Sequence, residues 1–287
     1  MRPLTDDVRA HLESWDGVVA APRDAATVIV LRRGGKGLEV LLMRRQRSMA
    51  FAGGMHVFPG GSVQATDSEP VRWVGPAPEE WAQRWGCGVD QARALVVAGV
   101  RETFEETGIL FAGPGPDSLV GVCAGPEWDE ARRALEAGET TMGAFLADRD
   151  LVLRADRLGP WAHWVTPEFG PRRFDTRFFV AVLPEQHLEH THGSEADVSF
   201  WIDVGEALAG ADRGTIAMMA PTRHNLELIA AAGPDGVTRV VSGTGRRIPT
   251  IQPRVVEVDG QPWLTSGEEP VTSHEAGPGT RDMRAAR

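Results

Sequence analysis

Tyrosine is absent from the 287 residues, and cysteine and lysine are nearly so. No phenol is therefore available as a catalytic acid or base. The two cysteines, Cys87 and Cys123, are far apart in the sequence, which argues against a disulfide framework and against a Cys-x-x-Cys metal or redox site. Lys36 is the only lysine, so almost all positive charge comes from arginine, whose planar guanidinium matches phosphate oxygens.

Long apolar runs are also missing. No stretch approaches the roughly 20 apolar residues that span a bilayer, and acidic side chains occur within residues 1–21, where a signal peptide would be apolar. We therefore expect a cytoplasmic protein without a membrane partner. The formal net charge of -10 opposes phosphate neutralisation along a nucleic acid, so we expect no nucleic-acid partner.

The patterns that are present mix strands and helices. A glycine turn at 34–37 joins two β-branched and leucine-rich runs, which predicts a hairpin. We expect strands at 25–33, 38–44, 56–58, 109–111, 161–166, 174–183 and 198–202, and helices at 90–107, 126–139, 142–148, 203–209 and 222–232. Interleaved strands and helices with several hairpins favour an α+β fold.

The same patterns suggest one main domain. Residues 1–24 form a polar lead-in and residues 25–264 the domain, within which 62–89 is an insertion rich in proline, glycine and tryptophan. Residues 265–287 are polar and without periodicity, which predicts a flexible tail.

Three glutamates provide the clearest chemical signal. On the helix predicted to end at Gly108, Glu102, Glu105 and Glu106 are spaced i, i+3 and i+4 and so project from one face. The plain alternative is a solvated acidic stripe. Like charges at this spacing repel, however, whereas a hard divalent cation turns the repulsion into coordination. The residues therefore indicate a Mg²⁺ or Mn²⁺ site.

With the upstream Phe58-Pro59-Gly60-Gly61, the segment 101–108 resembles the signature of the Nudix hydrolases. That box is Gly, five residues, Glu, seven residues, Arg-Glu, an apolar residue, any residue, Glu-Glu, any residue, Gly and an apolar residue. The second half, from Arg101 to Ile109, matches at its fixed positions, with Thr103 where the family has its first apolar residue.

The first half of the box departs from the family pattern. Between Gly61 and Arg101 lie 39 residues, 26 more than in the usual box. Counted back from Arg101, the first glutamate of the box falls on Arg93. Counted forward from Gly61, it falls on Asp67, which would supply a carboxylate from the loop, so the role of Asp67 and the number of metal ions stay open.

The resemblance implies an α/β/α sandwich with a mixed sheet, extra helices and an insertion inside the box. It also implies hydrolysis of a diphosphate linkage in a nucleoside diphosphate derivative. Glu102, Glu105 and Glu106 would be metal ligands, joined by the carbonyl of Gly60 at the Gly60-Gly61 bend, and Arg101 would orient a carboxylate. A homodimer follows only by family analogy.

The stretches 41–45, 53–61 and 221–227 resemble the coenzyme A diphosphatase branch of this family. The resemblance makes coenzyme A or acyl-coenzyme A the first-choice substrate, giving 3′,5′-ADP and a phosphopantetheine. Two alternatives remain open: a pyrophosphatase for ADP-ribose or NADH, and a non-catalytic Nudix-fold nucleotide sensor, which the arginine at position 93 allows.

Two further residues are candidates. Glu195 lies in a polar loop before the strand at 198–202, where relatives often place another carboxylate; it is either an acid that takes a proton from water or an ordinary loop glutamate. One of the three helix glutamates is the alternative base. Arg44, at the end of a predicted strand, is a candidate contact for substrate phosphate.

Overall fold

The computed structural model describes residues 2–4, 6–45, 53–184, 198–243, 247–258, 261–265 and 280–282. By its internal contacts the chain divides into two compact units. The larger unit comprises residues 25–161 and 177–248, and the smaller one comprises residues 1–24, 162–176 and 249–287. The helix and the glycine bend singled out by the sequence both belong to the larger unit.

In chain order the strands are β1 (Arg2–Pro3), β2 (Arg23–Gly34), β3 (Gly37–Arg44), β4 (His56–Val57), β5 (Gly60–Ser62), β6 (Trp73–Val74), β7 (Ile109–Leu110), β8 (Ala112–Gly113), β9 (Gly121–Val122), β10 (Val152–Arg154), β11 (Gly159–Val165), β12 (Phe174–Val182), β13 (Val198–Asp203), β14 (Thr250–Ile251), β15 (Val255–Val258), β16 (Gln261–Leu264) and β17 (Thr280–Asp282). The α-helices are α1 (Asp6–Glu13), α2 (Pro78–Trp85), α3 (Val89–Thr107), α4 (Pro126–Glu136), α5 (Met142–Asp148), α6 (Val204–Asp212) and α7 (Ala220–Val241), and the two 3₁₀ turns are Ala65–Ser68 and Ala155–Arg157.

The sheet of the larger unit runs β13-β3-β2-β12, with β4 paired to β3 and β5 paired to β2. The predicted hairpin is present: β2 and β3 are antiparallel, with Gly34 opposite Gly37. Along β2, Val28 and Val30 belong to the core cluster that contains α3, whereas the alternate residues Ile29 and Leu31 are also fully buried. Because successive side chains of a strand point to opposite faces, this sheet is covered on both sides.

Helix α3 packs directly on this sheet. A Cβ on Gly99 would lie 3.3 Å from Val28 Cγ2 and 3.6 Å from Phe179 Cδ2, so the missing side chain permits close approach of helix and strands. The helix ends as predicted at Gly108, which has φ 73° and donates its N–H to the Phe104 carbonyl. Its start differs slightly from the predicted residue 90, because the helix begins at Val89 with Gly88 as the N-cap.

The insertion at 62–89 is ordered and packs against the same helix. It contains the 3₁₀ turn Ala65–Ser68, β6 and α2, and both the turn and α2 contact α3. Trp81 and Trp85 are buried and meet Phe179 edge to face, with ring centroids 5.5 and 5.4 Å away. These tryptophans therefore contribute to the core.

Helix α7 extends beyond the predicted end at residue 232. Gly233 has φ 64° and ψ 179°, and the chain resumes helical structure at Pro234 and continues to Val241. Proline fits the first turn of a helix, where its missing N–H costs nothing, so the Gly-Pro pair produces a kink instead of an end. Mixed strand directions and seven helices among the described residues confirm the α+β class.

The smaller unit has its own antiparallel sheet, ordered β1-β16-β15-β17. Its apolar cluster is formed by Leu4, Val255 and Leu264, with Val8, Leu12 and Phe169 packed against it. The strand β17, at 280–282, lies inside the segment expected to be a tail and pairs with β15. In neither unit do the described residues include a helix long and apolar enough to cross a membrane.

Candidate active site

The end of α3 and the short strand β5 meet through a glycine bend. Gly60 pairs with Thr27 of β2 and has φ +154°, and a Cβ there would lie 2.5 Å from the Ala26 carbonyl oxygen. The Gly60 N–H donates to Glu106 Oε2 at 2.8 Å. Glycine at this position therefore lets the backbone approach the Glu106 carboxylate.

The next residue, Gly61, contacts a second carboxylate. A Cβ on Gly61 would lie 2.5 Å from Glu102 Cδ and Oε2, far closer than real Cβ atoms come. The Glu102 side chain therefore occupies the space that any other residue would fill with its own side chain. Glycine is therefore required at both positions: at Gly60 for the backbone conformation and at Gly61 for the space that the Glu102 side chain occupies.

The buried Arg101 side chain connects Glu102 and Glu105 with β5. Its side chain is 2% exposed, and its Nη1 donates to Glu102 Oε1 at 2.9 Å and to Glu105 Oε2 at 3.1 Å. Its Nη2 also donates to the Ser62 carbonyl at 3.1 Å. One guanidinium thus contacts two of the three glutamates and the backbone of β5.

Asp67 lies on the opposite side of the same guanidinium. Arg101 Nε donates to Asp67 Oδ1 at 2.9 Å and Nη2 donates to Oδ2 at 3.0 Å. The Gln64 N–H also donates to Asp67 Oδ2, at 2.7 Å. Both oxygens of Asp67 therefore accept hydrogen bonds from within the protein. Asp67, which lies where the first box glutamate falls when counted forward from Gly61, is a partner of Arg101.

The cluster has an excess of negative charge. Three carboxylates, those of Asp67, Glu102 and Glu105, contact the Arg101 guanidinium, and Glu106 accepts from the Gly60 N–H; the four carboxylates and one guanidinium carry a formal charge of −3 when all are ionised. Burial raises the pKa of Glu105 to about 7; the charge of Arg101 opposes this shift, and Glu102 adds to it. Burial also raises the pKa of Glu102, again against the charge of Arg101.

Two contacts near the cluster were not predicted. Thr103, the mismatch at the apolar place of the box, is fully buried and donates its hydroxyl to the Gly99 carbonyl at 2.7 Å. Arg132 of α4 donates from Nε and Nη2 to the Glu105 carbonyl at 3.0 and 2.8 Å. No motif links residue 132 to the box, so only the packing of α4 on α3 reveals this contact.

Arg44, Glu195 and Arg93 are the remaining candidate positions. Arg44 is the last residue of β3, directly opposite His56 of β4, and its side chain is exposed. Glu195 lies outside the described residues. Arg93, at the other counted position of the first box glutamate, donates to the Ser68 carbonyl and to Asp90.

The sequence of this site matches a known family. Residues 18–227 match the family model of the NUDT19 Nudix domain. The chain belongs to the Nudix family, in its NUDT19 branch. This result agrees with the box at Arg101–Gly108 and with the long insertion between Gly61 and Arg101.

Curated proteins similar to this chain include two from animals. Acyl-coenzyme A diphosphatase NUDT19 of Gallus gallus is 27% identical over 234 residues, which cover 66% of this chain and 60% of that protein. Putative nudix hydrolase 7 of Caenorhabditis elegans is 26% identical over 209 residues, covering 73% of this chain and 61% of that protein. The chain thus spans about three fifths of the length of these two relatives.

A solved Nudix structure supports the fold. The NUDIX hydrolase of Alicyclobacillus acidocaldarius superposes with a TM-score of 0.62 at 28% identity, covering 79% of this chain and 100% of that one. The Nudix α+β architecture, with its glutamate-bearing helix against the sheet, is therefore the architecture of this chain.

Nudix hydrolases generally use divalent metals, and the donor chemistry here fits such an ion. Within the described residues no three Asp, Glu, His or Cys side chains are already gathered around a single metal position. The carboxylates of Glu102, Glu105 and Glu106 are nevertheless hard oxygen donors of the kind that Mg²⁺ and Mn²⁺ prefer, in a cluster with excess negative charge.

Proposed function

We propose that this chain is a metal-dependent Nudix diphosphatase that hydrolyses the diphosphate linkage of a nucleoside diphosphate derivative. The observation that carries the proposal is that Glu106 and Glu102 lie against the Gly60-Gly61 bend, while the buried Arg101 holds Glu102 and Glu105 beside it. A solvated acidic stripe would not be tied to a buried guanidinium and a glycine backbone.

In this proposal Glu102, Glu105 and Glu106 would hold Mg²⁺ or Mn²⁺, and the Gly60 carbonyl would be a further oxygen donor. When bound, the ion neutralises phosphate charge and lowers the pKa of a water nucleophile. The chain's own residues do the positioning: Arg101 fixes Glu102 and Glu105, and the Gly60 N–H fixes Glu106. The base that takes the proton from water is one of these glutamates or Glu195.

We further propose coenzyme A or an acyl-coenzyme A as substrate. Water attacks one phosphorus, the bridging P–O bond breaks, and the products are 3′,5′-ADP and a phosphopantetheine. The names of the NUDT19 relatives and the matching sequence stretches support this choice. Arg44 would contact a substrate phosphate.

A substrate panel tests the proposal. Coenzyme A, an acyl-coenzyme A, ADP-ribose, NADH and diadenosine polyphosphates are each incubated with Mg²⁺ or Mn²⁺, and the products are separated by chromatography. Release of 3′,5′-ADP that stops with a chelator is the expected result. Faster release of AMP from ADP-ribose or NADH would replace the coenzyme A assignment with the pyrophosphatase alternative, and nucleotide binding without turnover at any metal concentration would identify a sensor.

Two properties remain proposals from the sequence alone. The scarcity of cysteine suggests a cytoplasmic location. Family analogy suggests a homodimer, which light scattering of the purified protein would test.

A further inference from the structure

The smaller unit contains a hydrogen-bonded Thr-His-Asp group that the Nudix chemistry does not use. His163 of β11 lies between Thr250 of β14 and Asp175 of β12. Thr250 Oγ1 is 2.9 Å from His163 Nδ1, and His163 Nε2 is 2.5 Å from Asp175 Oδ1. His163 is 6% exposed, whereas Thr250 is exposed.

The strand arrangement fixes this group. His163 is directly opposite Thr250 in the parallel pair of β11 and β14, and β12 is the neighbour of β11 on its other side. The imidazole is therefore held from both edges of its own strand, and Thr250, at the outer end, is an exposed residue.

The proton positions follow from the chemistry of the three groups. An ionised carboxylate only accepts hydrogen bonds, so His163 Nε2 donates to Asp175. In a neutral imidazole the other nitrogen then accepts, and the Thr250 hydroxyl donates its proton to Nδ1. In this arrangement the Nδ1 lone pair of His163 accepts the hydroxyl proton of Thr250, an exposed residue.

A nucleophile hydrogen-bonded to a base that a third group orients is the general signature of covalent catalysis. We propose that Thr250 is an activated nucleophile that accepts an acyl group from an activated ester or thioester. His163 is its base, and Asp175 is a positioning residue that fixes the imidazole tautomer. Acyl transfer requires a base that takes the proton of the Thr250 hydroxyl and later gives it to the leaving group, and His163 would do both.

The proposed step balances as follows. Thr250 Oγ1 bonds to the carbonyl carbon of the donor, and its proton moves to His163 Nδ1. The bond from that carbon to the leaving oxygen or sulfur breaks, and the proton returns to the leaving group. The products are an acyl ester of Thr250 and a free alcohol or thiol, with no oxidation or reduction.

The experiment uses the full chain and p-nitrophenyl acetate as the probe. A burst of one p-nitrophenol per chain is expected, and peptide mass spectrometry should place the acetyl group on Thr250. Thr250→Val removes the hydroxyl at nearly constant size and should abolish both signals, whereas Thr250→Ser should retain them. Ser14→Ala removes another exposed hydroxyl of this unit, one that donates to the His11 carbonyl, and should change nothing.

His163→Gln and Asp175→Asn test the other two members. Both should slow the burst by roughly two or more orders of magnitude, as loss of the base or of the correct tautomer does in hydroxyl nucleophile triads. If His163→Gln does not fold, the comparison of Thr250→Val with Thr250→Ser is sufficient to test whether Thr250 is the nucleophile. Absence of a burst in the wild type, or acetylation that persists at equal rate in Thr250→Val, would overturn the proposal and leave a purely structural hydrogen-bond group.

Discussion

The Asp67 carboxylate and the Arg101 guanidinium form a paired hydrogen bond that is almost completely buried. Both oxygens and two guanidinium nitrogens take part, at 2.9 and 3.0 Å, and the side chains are 1% and 2% exposed. Asp67 belongs to the insertion, and Arg101 belongs to the second half of the box, which matches the family pattern. This contact therefore ties the insertion to the helix that carries the glutamates.

Asp67→Asn should therefore damage both stability and catalysis. Removing one partner of a buried ion pair typically costs about 3–5 kcal/mol because the other charge remains buried, and Arg101 would no longer hold Glu102 and Glu105 in place. Asp67→Glu, which restores the residue type of the usual box, should keep most of the stability. Denaturant unfolding and diphosphatase assays measure both effects.

Asp150→Asn is the matched control for that experiment. Asp150 also accepts from an arginine, Arg72, at 2.7 Å, but its side chain is 91% exposed. Surface ion pairs contribute about 0–1 kcal/mol, so this change should leave stability and activity nearly unaltered. Equal effects of the two substitutions would refute the positioning role of Asp67.

Gly61→Ala should lower activity without unfolding the chain. The added Cβ would lie 2.5 Å from the Glu102 carboxylate, so this flexible side chain must move away from its position beside Arg101. Gly35→Ala, in the turn between β2 and β3, places its Cβ in open space and serves as the control. A Gly61→Ala enzyme with wild-type kcat would show that the position of Glu102 is unimportant.

Without metal, the cluster should make stability depend on pH. The folded-state pKa of Glu105 is raised from 4.5 to about 7, so the folded state binds its proton more tightly than the unfolded state. Folding stability should then fall as pH rises from about 4.5 to above 7, by about 3 kcal/mol at most from this group. Below pH 4.5 this loss is absent.

Denaturant unfolding in a chelator at pH 5 and pH 8 measures this effect, with Glu105→Gln as the comparison. The variant cannot titrate at this position and should lose less stability between the two pH values than the wild type does. An identical pH dependence in both proteins would contradict the assigned titration. Added Mg²⁺ should offset the loss in the wild type at pH 8.

Much of the fold could be predicted where local signals agree. The helix Met142–Asp148 has the bounds expected from its pattern, with Thr141 capping it by accepting from the Ala144 N–H. Gly108 ends α3 in the left-handed conformation that favours glycine. The kink at Gly233 was missed because glycine before proline marks a helix end in sequence, and only the packed structure shows the helix resuming.

The site was predictable only in part. The i, i+3 and i+4 spacing placed the three glutamates on one face, and the glycine pair indicated a bend near them. The partnership of Asp67 with Arg101 depends on how the insertion folds back onto α3, and the contact of Arg132 with Glu105 depends on how α4 packs. Neither arrangement leaves a periodic signal in the chain.

Manganese binding followed by electron paramagnetic resonance tests the central claim most directly, because it measures the ion without depending on the substrate. Wild-type protein is compared with Glu106→Gln and with Glu139→Gln, which changes an exposed glutamate away from the box. We predict that Glu139→Gln binds Mn²⁺ as the wild type does and that Glu106→Gln binds at least about tenfold more weakly, equivalent to about 1.4 kcal/mol. Equal Mn²⁺ affinity in all three proteins, or no binding by the wild type, would contradict the account.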